Sequence, residues 1–381
     1  MRRLFLLGWL LFACLVLSTS TVFAQTPSPA DSQTYVRGRI LEVLSDKQQT
    51  DSPLDDAEQV VLVEPLSGAH DGETLTVTYT FSSANYRDYK LRKGDVVVLG
   101  QVTDVRGENY YILDRFRLPS IIVFLTLFAA IAVFFGRSQG AGSLAGLAAS
   151  LVVLMVFVVP RILAGDNPVT VSLLGASVIA VVSILLAHGF KRRTYVALVA
   201  TLTVLVVAVV LAILAAHFAG LSGTGTEEAV FLQLSYLPNL DLRGLLLGGV
   251  IIGTLGVLDD VTTAQVAAIE EISLANPALG VAELYQRGLS VGREHIAALV
   301  NTLALAYAGA SFPLFLLFAL PDRPPLWVIM NNENIIEEVL RALVGGTSLM
   351  LAVPIATVLA ASVFGSVPRS ERQVASSLHH H

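Results

Sequence analysis

Two patterns of hydrophobic and polar positions divide the chain. In the first part apolar and polar residues alternate, as where threonines separate Leu75, Val77, Tyr79 and Phe81. This period of two is that of a half-buried β-strand. After Pro119 the chain consists of long apolar runs, several of which reach the ~20 residues that span a bilayer. The pattern predicts a small β domain followed by a polytopic helical membrane domain.

The β domain is predicted for residues 25–118. Besides the strand at Leu75–Phe81, strands are expected at Tyr35–Leu44, Gln59–Val63, Gly94–Val102 and Tyr110–Leu113. Glycines between these segments mark turns. Five short strands over this length indicate a small, OB-like barrel. The domain has 15 acidic and 10 basic residues, so nucleic-acid binding is not expected.

The membrane domain is predicted for residues 119–366, as an α-helical bundle. About seven spans are expected after signal cleavage: Ile121–Phe135, Ala141–Val159, Val169–Leu186, Tyr195–Ala219, Gly244–Val266, His295–Leu320 and Ala342–Phe364. A charged amphipathic helix is expected near residues 275–294, along the inner membrane face. The composition agrees with a membrane protein, since only 14% of residues are charged against roughly 25% in soluble domains.

Both termini are predicted to lie outside these domains. Arg2 and Arg3 precede the apolar run Leu4–Leu17, and a small-residue cleavage site ends at Ala24, so residues 1–24 are typical of a secretory signal. The alternative is an uncleaved first helix. Residues 367–381 form a predicted cytoplasmic tail that ends in three histidines, which resemble a tag remnant and are set aside from metal-site reasoning.

The loop charges predict the orientation of the bundle. Arg137 and the basic run Lys191–Arg193 lie in short connections. The loops after Val159 and Ala219 carry mainly the acids Asp166, Glu227 and Glu228, with one arginine, Arg161. Cytoplasmic loops carry the excess of Lys and Arg. The sequence therefore predicts a multi-pass protein of the bacterial inner membrane, with an extracytoplasmic β domain and a cytoplasmic C-terminus.

The main candidate site is an aspartate pair, Asp259 and Asp260, within an otherwise apolar span. A carboxylate in hydrocarbon is costly and marks an ion or proton pathway more often than not. Thr263 shares the face of Asp259 at i+4. Glu270 and Glu271 follow on the same helix as secondary candidates, with a solvated helix end as the alternative for both.

The following helix offers partners for the pair. Asn301 and Ser311 share one of its faces, and the Asn301 amide can bind an ionised or a protonated Asp. Asp259, Asp260 and Asn301 together present hard oxygen ligands, which suit Mg²⁺ or Mn²⁺. The alternative for Asn301 is an interhelical hydrogen bond that serves packing alone, and a proton is the other candidate coupling ion.

Three motifs carry a resemblance to a known family. GVLDDVTTAQVAAIEEI, VGREHIAALVNTLALAYAGASFPL and EEVLRALVGGTSLMLAVPIAT are similar to the motifs of the YibE/F family of bacterial membrane proteins. The resemblance covers roughly Tyr35–Phe364 and is strongest in the last third. It implies a polytopic architecture and assigns no chemistry.

The Asp-Asp helix also resembles the central helices of resistance-nodulation-division transporters and of the Sec export motor. In those proteins the aspartates carry protons that the proton-motive force drives. The resemblance implies that Asp259 and Asp260 carry protons or ions and that Thr302 relays them. The chain departs from that pattern by its small extracytoplasmic domain, its extra preceding spans and the lack of an intramembrane lysine.

These observations favour an ion- or proton-coupled transporter, such as an exporter of a divalent cation or small solute. The alternative is a non-transporting accessory or assembly protein whose β domain docks a partner. An enzyme is not expected, because adjacent aspartates on a helix diverge by about 100° and do not form a two-carboxylate dyad. The expected partners are the lipid bilayer and a small ion or solute, with a homo-oligomer left open.

Overall fold

The computed structural model describes residues 34–47, 56–67, 72–82, 89–104, 107–321 and 323–365. The predicted signal, residues 1–24, and the predicted tail, residues 367–381, lie outside the described residues. The described chain forms two compact units that divide between Ile131 and Ala132. One unit holds a β-sheet domain and the other a helical domain.

The β unit contains the five predicted strands. They are β1 (Thr34–Lys47), β2 (Asp56–Pro65), β3 (Leu75–Ser82), β4 (Val96–Asp104) and β5 (Gly107–Arg115). Every pair is antiparallel and the order is β3-β2-β1-β4-β5. Because β3 also lies beside β5, the sheet is nearly closed. The predicted small barrel is confirmed at this level.

The barrel core follows the alternation seen in the sequence. Val77, Tyr79 and Phe81 of β3 point into the core, while the threonines between them are exposed. One polar side chain lies in this core: Gln59 of β2 is fully buried. Its Oε1 accepts a hydrogen bond of 2.8 Å from the Leu91 N–H, which joins β2 to the segment before β4.

The helical unit and the segment that leads into it are built from long helices with short connections. The helices are α1 (Leu118–Val153), α2 (Val159–Leu163), α3 (Pro168–His188), α4 (Arg192–Phe218), α5 (Glu227–Ser235), α6 (Leu242–Ala275), α7 (Val281–Ala310), α8 (Phe312–Leu317), α9 (Leu326–Met330) and α10 (Glu333–Gly365). A π-helical turn, Leu154–Val158, joins α1 to α2.

Five helical segments of the described chain are long and apolar enough to cross a membrane. They are Leu118–Leu163, Pro168–His188, Arg192–Phe218, Leu242–Ala275 and Glu333–Gly365. A membrane-spanning helical domain is therefore supported, while the predicted count of seven is not confirmed. The differences lie in the first segment and in α7.

The first segment contains a break where a loop is predicted. Its 46 residues would extend about 69 Å as one straight helix, far more than a bilayer core of about 30 Å. Arg137 interrupts the helix with φ 48° and ψ −130°. The interruption lies between the predicted spans Ile121–Phe135 and Ala141–Val159, which share this segment.

The predicted amphipathic helix near residues 275–294 and the predicted span His295–Leu320 are joined in one helix. The helix α7 runs unbroken from Val281 and ends at Ala310, and the short α8 follows after Ser311. The charged residues of its first half, such as Glu283 and Arg287, continue directly into the apolar half. Since α7 is not among the candidate spans of the described chain, the predicted span His295–Leu320 is not confirmed.

The helix α6 lies at the centre of the helical unit. It packs against α3, α4, α7 and α10. Leu255, Leu258 and Val261 on its packed side are almost fully buried. The neighbouring helices thus determine the surroundings of the side chains on the packed side of α6.

The buried amide of the barrel provides a test of its packing. We expect Gln59→Leu to lower the opening free energy of the barrel by about 1–3 kcal/mol, because the buried Leu91 N–H loses its acceptor. Hydrogen exchange of the strand amides in the full chain measures this energy. The neighbouring exposed change Glu58→Gln serves as control, and an equal effect of both substitutions would contradict the assignment.

Candidate functional site

Local sequence signals define α6 and the position of its aspartates. The side chain of Asp241 caps the start of the helix by accepting a 2.9 Å hydrogen bond from the Gly244 N–H. The helix ends before Asn276, which precedes a proline and adopts a non-helical conformation. Asp259 and Asp260 are therefore interior residues of one continuous helix.

Asp259 is turned toward α3. Its side chain is half-buried, and its Oδ2 accepts a 2.7 Å hydrogen bond from the Ser183 hydroxyl. Its Oδ1 is buried and has no hydrogen-bond partner among the described residues. A buried polar atom without a partner costs about 1–3 kcal/mol, and more when it is charged. One oxygen of the Asp259 carboxylate is therefore buried without a hydrogen bond, while the other is held by Ser183.

A close approach of α1 supports the serine. A Cβ placed on Gly146 would lie 3.2 Å from the Ser183 Cα, and one on Gly142 would lie 2.5 Å from the Leu186 carbonyl oxygen. These two glycines let the second half of α1 pack directly on the backbone of α3. The packing limits the movement of Ser183 next to Asp259.

Asp260 lies on a different side of α6. It is exposed, together with Gly249, Gly253, Gly256 and Ala264, and we call these five residues the open face. Nothing in the described structure lies within 4 Å of a Cβ built on any of the three glycines. The packed side of α6 is that of Leu255 and Leu258, and the glycines are turned away from it. Asp260 interacts electrostatically with His188 at the end of α3.

A third side of α6 carries polar residues inside the bundle. Nine polar side chains of the helices α4, α6 and α10 are buried: Thr194, Thr201, Thr254, Thr262, Gln265, Ser273, Glu337, Ser348 and Thr357. The hydroxyls of Thr201 and Thr262 lie 2.6 Å apart and form a hydrogen bond. The packed interior near the aspartates is therefore not uniformly apolar.

Gln265 joins three helices through its amide. The Nε2 donates to the Gly288 carbonyl of α7 at 2.8 Å and to the Thr357 hydroxyl of α10 at 2.9 Å. A Cβ at Gly292 would lie 3.0 Å from this nitrogen. The glycines of α7 thus let that helix come close enough for the contact. The amide lies on the same helix as the aspartates, fewer than two turns beyond Asp260.

Comparison with known proteins places the chain in a family. The family model described as "YibE/F-like protein" matches residues 124–366, a stretch that includes both aspartates and all of the helices that surround them. The chain belongs to the YibE/F-like family. No curated protein and no solved structure matches it at a significant level.

Three other predicted site residues of this YibE/F-like protein lie on α6 itself. The Thr263 hydroxyl donates to the backbone oxygen of Asp259 at 2.9 Å, so it is engaged within its own helix. Glu270 forms an ion pair of 3.4 Å with Arg193. Glu271 is exposed. Both glutamates therefore have surroundings that differ from those of Asp259.

The predicted residues of α7 are not brought to the pair. Asn301 and Thr302 are exposed, and the Thr302 hydroxyl donates to the Ala298 carbonyl of its own helix. Ser311 is half-buried just beyond the end of α7. No hydrogen bond in the described structure joins Asn301 to an aspartate, and the described residues contain no group of three or more His, Cys, Asp or Glu suited to a metal ion.

Ser183, Thr201 and Gln265 are absent from the set predicted by sequence reasoning. For Gln265 a signal was present: Thr254, Leu258, Thr262 and Gln265 follow at steps of four, four and three, which form a third face of α6. Ser183 and Thr201 are single hydroxyl residues within apolar runs. Their roles depend on which helices are neighbours, and a single helix pattern does not contain that information.

The hydrogen bonds from Gln265 to α7 and α10, which we call the Gln265 clamp, can be tested by measuring the stability of variants. We expect Gln265→Leu to lower the free energy of unfolding by about 1–3 kcal/mol, since the Gly288 carbonyl and the Thr357 hydroxyl lose a buried donor. Thr263→Val should change it by less than about 0.5 kcal/mol, because the Thr263 hydroxyl bonds only to its own helix. Thermal unfolding of the two variants in detergent measures both effects. Equal effects would show that the clamp does not tie the helices.

Proposed function

We propose that this YibE/F-like protein is an ion- or proton-coupled membrane transporter in which Asp259 binds the coupling cation or proton. One observation carries the proposal. The Asp259 carboxylate lies within an apolar helix, accepts one hydrogen bond from Ser183 and has a second oxygen that is buried without a partner. A carboxylate held in this way is completed by a bound cation or proton.

The surroundings of the pair support the same reading. Asp260 is exposed on the open face, whereas Asp259 is half-buried. The hydroxyls of Thr201 and Thr262 add oxygen groups inside the bundle near Asp259. Oxygen donors without thiolates favour a proton or a hard divalent cation such as Mg²⁺ or Mn²⁺. The resemblance of this helix to those of proton-driven exporters agrees with a proton as the coupling ion.

In this proposal the protein lies in the bacterial inner membrane. The short basic connections at Arg137 and Lys191–Arg193 are cytoplasmic, and the C-terminus lies on the same side. The barrel is extracytoplasmic. The break at Arg137 turns the first apolar segment back across the bilayer.

A second candidate function is that of an accessory or assembly protein without transport of its own. The open face favours it, because small residues exposed along a membrane helix form a surface on which another helix packs closely. In that case Asp260 would take part in a partner contact, with the barrel as a further docking domain outside the membrane.

Flux measurements on the purified chain in proteoliposomes test the proposal. Protons are followed with a pH dye, and Mn²⁺ with a quenched fluorophore. We expect Asp259→Asn and Ser183→Ala each to reduce flux by about tenfold or more, because a hydrogen bond to a charged group contributes about 1.5–3 kcal/mol. Glu271→Gln removes an exposed carboxylate of the same helix and should leave flux within about twofold.

Two results would contradict the transport proposal. Undiminished flux in the double variant Asp259→Asn, Asp260→Asn would show that the pair carries no coupling ion. An absence of flux in the wild type, together with a stoichiometric co-purifying partner, would favour the accessory function.

A further inference from the structure

A second buried carboxylate lies far along the bundle from the aspartate pair, where α4 ends and α6 and α10 begin. Glu337 on α10 has an exposed fraction of only 2%. Sequence spacing suggests an ordinary ion pair with Arg341, but Arg341 bonds to Glu338 instead. Glu337 Oε1 accepts a 3.0 Å hydrogen bond from the Gly225 N–H. This acid therefore faces a loop backbone in place of a cation.

The loop of residues 220–226, which we call the strap, is shaped around two glutamates. A Cβ on Gly225 would lie 2.5 Å from the carboxyl carbon of Glu337. Gly223 has φ 87°, and a Cβ there would lie 2.2 Å from the Leu242 carbonyl oxygen at the start of α6. Only glycine fits at position 223, and a side chain at position 225 would displace the Glu337 carboxyl group, so the strap lies directly against both helices.

Glu333 fastens the strap from the first turn of α10. Its carboxylate accepts hydrogen bonds from the backbone N–H groups of Ser222, Gly223 and Thr224, and from the hydroxyls of Ser222 and Thr224. Leu221 anchors the strap on its apolar side, with an exposed fraction of 5%, among residues of α4, α6 and α10. When the strap opens, this apolar cluster and Glu337 become exposed to water.

We propose that Glu337 is a proton-binding site and that the proton bound there holds the strap closed over this end of the bundle. Burial favours the neutral form of a carboxyl group, because the charged form loses its hydration. Opening the strap returns water to Glu337 and removes that preference. The closed strap therefore binds more protons than the open one, and a rising pH favours opening.

Several charged groups near this site influence the charge state of Glu337. Those on the elements that meet here are Glu333, Glu338 and Arg341 on α10, His217 on α4, Asp241 and Arg243 around the start of α6, and Glu227 and Glu228 on α5. Burial acts most strongly against the charged form of Glu337, and Glu333 and Glu338 also repel it. The Gly225 N–H and Arg341 act in the opposite direction. His217 is exposed and serves as the control group for this end of the bundle.

Hydrogen exchange of the strap amides tests the proposal without reference to transport. In the full chain in nanodiscs, the protection factor of residues 221–226, corrected for intrinsic exchange, should fall as pH rises. The slope approaches about tenfold per pH unit where one proton is linked to closure. Glu337→Gln should keep the strap protected and abolish the slope, since the amide oxygen still accepts from Gly225 and no proton is bound.

Three further variants separate the alternatives. Glu333→Gln should lower protection at every pH and keep the slope, while Glu227→Gln and His217→Asn should match the wild type. A pH-independent strap in the wild type, a slope that survives Glu337→Gln or a slope that disappears in His217→Asn would each overturn the proposal. The wild-type slope needs no variant to fold, and amides of α4 report whether the variants are folded. These outcomes do not depend on the transport proposal, because the exchange of the strap amides is measured without transport.

Discussion

The main constraint on the helical unit is that a carboxylate lies among apolar helices, where a charge is costly. Asp259 is kept at its position on α6 by one short hydrogen bond from Ser183 of α3. Hydrogen bonds to charged groups are among the stronger ones in proteins. This contact therefore favours one rotation of α6 and α3, in which Asp259 faces Ser183. Gly146 of α1 lets a further helix pack directly behind the serine. The other oxygen of Asp259 is buried and has no hydrogen-bond partner among the described residues, and the transport proposal rests on this oxygen.

The structure treats its membrane-domain acids in three different ways. Glu333 is saturated with donors from one loop, which is what a structural fastening requires. Glu270 has an arginine partner and needs nothing further. The half-buried Asp259 and the buried Glu337 each accept one hydrogen bond and form no ion pair with a described residue. The contrast within one chain separates acids whose partners are complete from acids that have a single hydrogen bond.

The sequence predicts most helices and strands but not which of them pack against each other. Alternation along Leu75–Phe81 predicts the inward side chains of β3, and the apolar runs predict α3, α4, α6 and α10. The length of α7 is missed, because its charged first half and apolar second half differ in composition while the backbone continues. The contact of Asp259 is missed for another reason: Ser183 is 76 residues away along the chain. The period of hydrophobic residues along a helix identifies its buried face. Only the packing of the helices shows which residues that face contacts.

The central claim is that the Asp259 carboxylate binds a proton or cation within the bundle. Infrared difference spectroscopy of the chain in lipid bilayers tests it most directly, by following the carboxyl band as pH or Mn²⁺ concentration changes. The account predicts a band that disappears in Asp259→Asn and persists in Glu271→Gln. A spectrum that is unchanged by Asp259→Asn would contradict it.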